Sequence, residues 1–444
     1  MEFDIKLYIQ LSLLMGFEFA VWGAWCPVLA ARCLGPLKMN GKQTGWIYAT
    51  LPLASMITPL VAGWAADKHV NAEHLLAGCH LVGAVLLFIA VKQEKFWGLF
   101  ASMFGWSLCF AATLPLVNTV LFATLKANPN CGFDAAKVFL WAPVAWALAG
   151  YLLAGVRNLR KREGNGSDCL VLAGILALAM FAICFVQPAT PPSQAVAEKS
   201  VPLMEALRTL FANTDFAIFM LVTLVVAGMQ QFYFLGSAQF MQDIKIPGKN
   251  VSAIMAIAQL VQTLATLFLL GWFFFGPLGP AWTLALGSAC WAVLFLAYVR
   301  SKSAVVIVPV QAFHGLAYVF FIIAGQIYTN QVADESILST AQGLIFFVQT
   351  GLSLFLCTQL AGFVMDKCST DGKFQWSKIF AVPLVCAAIG AVVLVVGVKN
   401  ELPANDDAGQ PAAEVLEIEE VEVEGMKLNV TLPEEGTPDE TGTE

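Results

Sequence analysis

Charged side chains are scarce in this 444-residue chain: Asp, Glu, Lys and Arg together make up 12% of it, against about 25% in ordinary soluble domains. Several further features are missing. There is no GxxxxGK[ST] loop to hold a nucleotide phosphate and no soluble segment to carry one, which excludes drive by ATP hydrolysis. The eleven cysteines are scattered singly from Cys26 to Cys386, with no CxxC and no Cys/His ligand spacing. They are expected to be small apolar packing residues, and neither metal nor cofactor is expected. No nucleophile, metal cluster or pair of carboxylates sits within the apolar stretches, so a membrane-embedded enzyme is disfavoured. Nucleic acid is not an expected partner. The first apolar stretch lacks a small-residue cleavage site after a short hydrophobic region and is expected to be retained as a helix.

What is present is apolar. Hydrophobic residues make up 58% of the chain, and the mean hydropathy is +0.73. Twelve apolar stretches separated by short polar breaks run from Leu7 to about Val398. A bilayer core about 30 Å thick needs about 20 apolar residues per helix. Lipid offers the backbone no hydrogen-bond partners, so such stretches must be helical. The expected class is an all-α membrane protein with twelve transmembrane helices. Their expected spans are 7–32, 43–66, 74–92, 96–125, 135–156, 169–187, 215–241, 251–275, 279–299, 303–329, 337–365 and 375–398. The longest internal break, 188–214, carries an amphipathic run from Val201 to Phe211 that is expected to lie along the membrane surface.

Six helices, a long linker and six more give an expected division into an N-terminal bundle (1–187), a linker (188–214) and a C-terminal bundle (215–398). An acidic tail (399–444) follows. This is the major facilitator layout, with a substrate site between the halves near the midplane. The tail holds 14 of the 31 acidic residues and two lysines. The net charge of −7 is therefore a property of the tail, which is expected to be disordered. Asn429-Val-Thr431 within it matches a glycosylation acceptor and is taken as chance. Pro52, Pro59, Pro115 and Pro143 fall within spans, where membrane helices tolerate proline as a bend or a hinge.

Polar residues inside the spans are the candidates for function. Glu18 lies in the first, at a cost of a few kcal/mol if ionised there. Such a carboxylate either moves protons or ties helices together. No Lys or Arg lies mid-helix to partner it. In the second half Gln230 and Tyr233, Gln259 and Gln262, and His314 and Tyr318 are spaced three or four apart, so each pair shares a helix face. Polar pairs can glue helices. Three of them on three helices also suit a neutral, hydrogen-bonding solute with an aromatic portion.

With these residues in view, the chain resembles the nucleoside:proton symporter family of the major facilitator superfamily over about residues 6–398. Phe17-Glu-Phe-Ala-Val-Trp-Gly-Ala-Trp25 is similar to the family's F-Q-F-x-x-W-G-x-W. Gly63-Trp-Ala-Ala-Asp-Lys68 with Cys79-His80, Leu116-Val-Asn-Thr119, Trp141-Ala-Pro-Val-Ala-Trp146 and Ala341-Gln-Gly343 resemble its further motifs in order. The resemblance implies a proton-coupled carrier of a nucleoside in the bacterial inner membrane, working by alternating access. Gln230, Gln259, Gln262 and Asn118 would hydrogen-bond the solute, with Trp146, Tyr233, His314 and Tyr318 around its ring. Glu18 or His314 would couple the proton.

The departures from the pattern are specific. Phe139 stands where the family has an arginine and Pro143 where it has a threonine. Gln262 and Val319 replace carboxylates, and Glu18 replaces a glutamine. A carboxylate lost at two places and gained at a third implies a relocated proton site. Cytoplasmic termini, as the resemblance implies, run against the positive-inside bias. The cluster Arg157, Arg160, Lys161 and Arg162 falls on the opposite face. The competing readings are a carrier of a sugar or other metabolite, and a solute sensor that does not transport.

Overall fold

A computed structural model describes residues 3–160, 166–192, 202–334, 337–370 and 372–401. The acidic tail and the polar run before the amphipathic segment lie outside these residues, as do the side chains of Trp64 and Asp67. Among the described residues, ten helices are long and apolar enough to cross a membrane. In chain order the helices are α1 (Ile5–Leu34), α2 (Gly41–Ser55), α3 (Thr58–Lys68), α4 (Ala72–Val91), α5 (Phe96–Ala127), α6 (Ala135–Arg160) and α7 (Asp168–Cys184). They continue with α8 (Leu203–Ala212), α9 (Thr214–Asp243), α10 (Gly248–Phe268), α11 (Gly279–Arg300), α12 (Ala304–Val332), α13 (Thr340–Lys367) and α14 (Trp376–Gly397).

Ten of the twelve expected spans correspond to one of the ten long helices. The other two differ for local reasons. The second expected span breaks after Ser55 into α2 and α3, with Pro59 in the first turn of α3. Proline lacks an N–H and is tolerated at that position. The sixth is α7, only 17 residues long. A two-residue antiparallel ribbon, Ser369–Thr370 against Lys373–Phe374, joins α13 to α14.

The amphipathic run forms α8. Ala206 and Leu210 are buried on it while Leu203 and Met204 are exposed. Within the first half α1 packs on α6 and α7, and α4 on α5 and α7; in the second, α11 packs on α14 and α10 on α12. Two seams join the halves, α2 against α13 and α6 against α10.

The seams close at the ends where α1 passes into α2 and α13 into the ribbon. Gly41 and Gly362 face one another there. A Cβ on either would stand 2.6 Å from the other's carbonyl oxygen, so only glycine permits this approach. Helix α2 is capped twice. Asn40 and Gln43 form a reciprocal capping box. Across the seam, the Asp366 carboxylate accepts from the N–H groups of Gly41 at 2.5 Å and Lys42 at 3.1 Å. A carboxylate on the positive end of a helix is favoured by both the free N–H groups and the macrodipole. On the other seam Asn158 Nδ2 donates to Asn250 Oδ1 at 3.2 Å. Nearby, Arg157 makes a bidentate pair with Asp168 at 2.6 Å, so one member of the basic cluster is neutralised locally.

Asp366 thus fastens the two halves through backbone amides. Asp366→Ala removes hydrogen bonds to a charged group, worth about 1.5–3 kcal/mol each. Amide exchange at Gly41 and Lys42, followed by hydrogen–deuterium exchange mass spectrometry, is expected to accelerate by about tenfold or more. Unchanged protection would show that the closed seam does not depend on this contact.

Candidate functional site

A cavity of about 100 Å³ lies between the halves. Its wall from the first half is aromatic and apolar, with Phe19 and Trp22 on α1, Leu51 and Pro52 on α2, and Trp146 on α6. Its wall from the second half is polar, with Gln230 and Gln231 on α9, Gln259 and Gln262 on α10, and His314 and Tyr318 on α12. Gln349 and Thr350 of α13 complete it. Among the described residues, no Asp, Glu, Lys or Arg lines it.

The helices deform where they meet this space. A 3₁₀ turn at Ala227–Met229 immediately precedes Gln230. Helix α12 widens into a π-helix over Tyr318–Ile323, and α13 does so over Phe347–Leu352. Single π turns recur at functional sites because they re-aim side chains and free backbone groups. Here the two are tied together: Gln349 donates to the Ile322 carbonyl at 3.2 Å and accepts from Gln326 at 3.1 Å. On the other wall the Trp22 and Trp146 ring centroids are 5.1 Å apart. Gly23 allows that contact, since a Cβ there would stand 2.7 Å from the Trp146 ring.

Of the residues expected at the site from sequence, the structure places Gln230, Gln259, Gln262, His314, Tyr318 and Trp146 around this one cavity. The three glutamines are buried, and none of their side chains is held by a described protein partner. His314 is buried too, and neither of its ring nitrogens has a hydrogen-bond partner. It is held by rings instead, with Tyr233 at 4.3 Å, Trp291 at 4.8 Å and Phe234 at 5.5 Å between centroids. Unpartnered polar groups in a membrane core are costly. Their convergence on a cavity is the arrangement of a site that awaits a hydrogen-bonding ligand.

Two expectations are corrected. Tyr233 does not line the cavity. Its hydroxyl donates to Gln311 Oε1 at 2.8 Å, and Gln311 is also bonded to Tyr298. A buried tyrosine hydroxyl needs a partner, and this long side chain finds one on α12, so its ring backs His314 instead of facing solute. Asn118 is exposed on α5, outside the cavity lining. Phe139, at the position of the expected arginine, packs beside Phe122 with 6.1 Å between centroids.

Glu18 also behaves differently from expectation. It is fully buried and has a partner after all: His80 Nε2 lies 2.8 Å from its Oε2. Thr113 Oγ1 donates to its Oε1 at 2.5 Å. The carboxylate is therefore enclosed by α1, α4 and α5. It lies beside the cavity in sequence, adjacent to Phe19 and one turn before Trp22, without lining it. The partner of Glu18 is a histidine on another helix, in the Cys79-His80 pair, and not a Lys or Arg. Gln349 is not among the residues expected from sequence, although Ser353 lies four residues on at helical spacing.

The family model described as the nucleoside H+ symporter matches residues 5–402. Among curated proteins, the nucleoside permease NupG of Escherichia coli is 25% identical over 395 residues, which cover 85% of this chain and 92% of that one. The xanthosine permease of the same organism is 24% identical over 411 residues, covering 89% and 96%. Among solved structures, the crystal structure of NupG superposes with a TM-score of 0.77 at 22% identity, covering 89% of this chain and all of the other. The fold is that of an all-α major-facilitator-type membrane protein. With the family model spanning nearly all of the described residues, the chain belongs to the nucleoside H+ symporter family, as a multi-pass integral protein of the bacterial inner membrane.

Proposed function

We propose that the central cavity binds one nucleoside and that the two halves rock about it to carry the solute across the membrane together with a proton. The observation that carries this reading is the set of unpartnered, buried polar side chains opposite an aromatic wall. Gln230, Gln259 and Gln262 offer amide donors and acceptors, which match the mixed donors and acceptors of a ribose and a base edge. Trp22, Trp146 and Tyr318 offer faces for the base. Family membership supports the choice of solute and of the co-transported ion. A sugar would use the amides but leave the aromatic wall with little to cover.

The absence of charged residues from the lining sets the limits of the substrate. An anion entering this cavity would lose its hydration with no cation to replace it, at a cost of several kcal/mol. Arg32 is buried nearby in sequence, but its guanidinium donates to the carbonyls of Val91 and Gln93 and does not reach the lining. In proteoliposomes a nucleoside is therefore expected to enter at least tenfold faster than its 5′-monophosphate. Faster entry of the monophosphate would contradict the reading.

The hydrogen-bonding roles are testable one at a time. Gln230→Ala and Gln259→Ala are each expected to weaken nucleoside binding to the purified protein by roughly 5–150-fold, corresponding to about 1–3 kcal/mol. Tyr233→Phe, which acts only on the layer behind His314, is expected to change affinity less than either. Full affinity in both glutamine variants would reduce these residues to helix packing.

A further inference from the structure

We propose that Glu18 and His80 together form the proton site, a pair that holds one shared proton while the solute-loaded carrier crosses and gives it up before the empty carrier returns. The inference rests on the reading of the protein as a nucleoside–proton symporter and locates the coupling that this reading requires.

The geometry comes first. Glu18 is 0% exposed and His80 3% exposed. Their side chains meet at 2.8 Å, from helices α1 and α4. The second carboxylate oxygen accepts from Thr113 on α5. The other ionisable groups around the pair are few. Cys79 and Glu73 share the helix of His80, Cys109 lies on α5 and Cys184 on α7. Glu73 is committed elsewhere: it accepts from Asn71 at 2.8 Å, from the Thr190 N–H at 3.0 Å and from the Thr190 hydroxyl. Among the described residues no Lys or Arg is hydrogen-bonded to the pair.

Charge counting then fixes what the pair can hold. With one proton shared between them, Glu18 and His80 are neutral together, as an ion pair or as a carboxylic acid beside a neutral imidazole. With none the pair carries −1, and with two it carries +1. A net charge sealed in a low-dielectric bundle costs several kcal/mol, whereas the neutral pair is compensated internally. The solute-loaded crossing is therefore made with one proton aboard, and the empty carrier returns after releasing it, with the Glu18 carboxylate held by its hydrogen bonds to His80 and Thr113. The proton is exchanged with water only when the halves part and water reaches the α1 face that carries Phe19 and Trp22. It enters from water on one side of the membrane and returns to water on the other, with no covalent change in the protein.

The arrangement also accounts for the distribution of carboxylates. Gln262 lines the cavity and Val319 is buried in the second half, so neither can take up a proton. Among the described residues Glu18 is the carboxylate buried mid-span, a dozen residues or more from either end of α1.

Full-length protein in proteoliposomes, with uridine as the probe, tests the pair. Two assays are run side by side. Counterflow of labelled uridine without a pH gradient reads solute exchange, and accumulation under an imposed pH gradient reads coupling. Wild-type counterflow tests the nucleoside reading alone; its absence would overturn that reading and leave the coupling inference without a basis. Glu18→Gln makes the site neutral without a proton. It is expected to lower gradient-driven accumulation at least tenfold while counterflow continues, since Glu18 does not line the cavity. His80→Gln leaves a lone carboxyl and is expected to lower gradient-driven accumulation while counterflow continues. Either variant that inserts and exchanges uridine decides the question. Wild-type accumulation by either Glu18→Gln or His80→Gln would overturn the proposal and return the pair to the role of a helix tie.

Discussion

A bilayer supplies no hydrogen-bond partners, and much of this molecule follows from that. The polar groups inside the spans are few, and most are answered. Thr50 and Ser107 bond to each other. Gln311 takes both Tyr233 and Tyr298. Arg32 donates from Nη2 to two carbonyls while its Nε and Nη1 lack partners, and Glu18 is held by a histidine and a threonine. Against that background the side chains around the cavity stand out. The glutamines of α9 and α10 line a space instead of meeting a partner, and both nitrogens of His314 are buried without one. The cost of leaving them so is offset only when a solute arrives.

The same constraint divides the labour between the halves. The first half presents rings to the cavity and keeps its one deep carboxylate behind them. The second presents amides and an imidazole, and bends its helices into 3₁₀ and π turns to aim them. On the proposed reading both halves contribute to recognition, and the coupling pair lies in the first. The halves are fastened where glycines allow backbone contact and where Asp366 caps a helix across the seam. That fastening can open without breaking any helix of its own, because the contacts are side chain to backbone across an interface.

The fold was legible in the sequence because hydropathy and length suffice to mark a span. The break after Ser55 was less so, since Pro59 signals a boundary but not which residues leave the helix. Spacing found the glutamine pairs and the His314–Tyr318 face, since residues three or four apart must share a face. It failed for Tyr233, where side-chain length and the need to satisfy a hydroxyl outweighed the helix face. It failed for Asn118, where no second polar residue fixed the direction. It could not find the partner of Glu18, because His80 is 62 residues away and only packing of α1 on its neighbours brings the two together. The trans cap of α2 by Asp366 was equally hidden, at a separation of 325 residues.

The central claim is that entry of a neutral nucleoside is tied to entry of a proton. It is tested most directly by trapping a pH-sensitive dye inside proteoliposomes and adding uridine outside without any initial gradient. The account predicts that the lumen acidifies as uridine enters, with no acidification when uridine monophosphate is added instead. Uridine entry at a constant internal pH would contradict it.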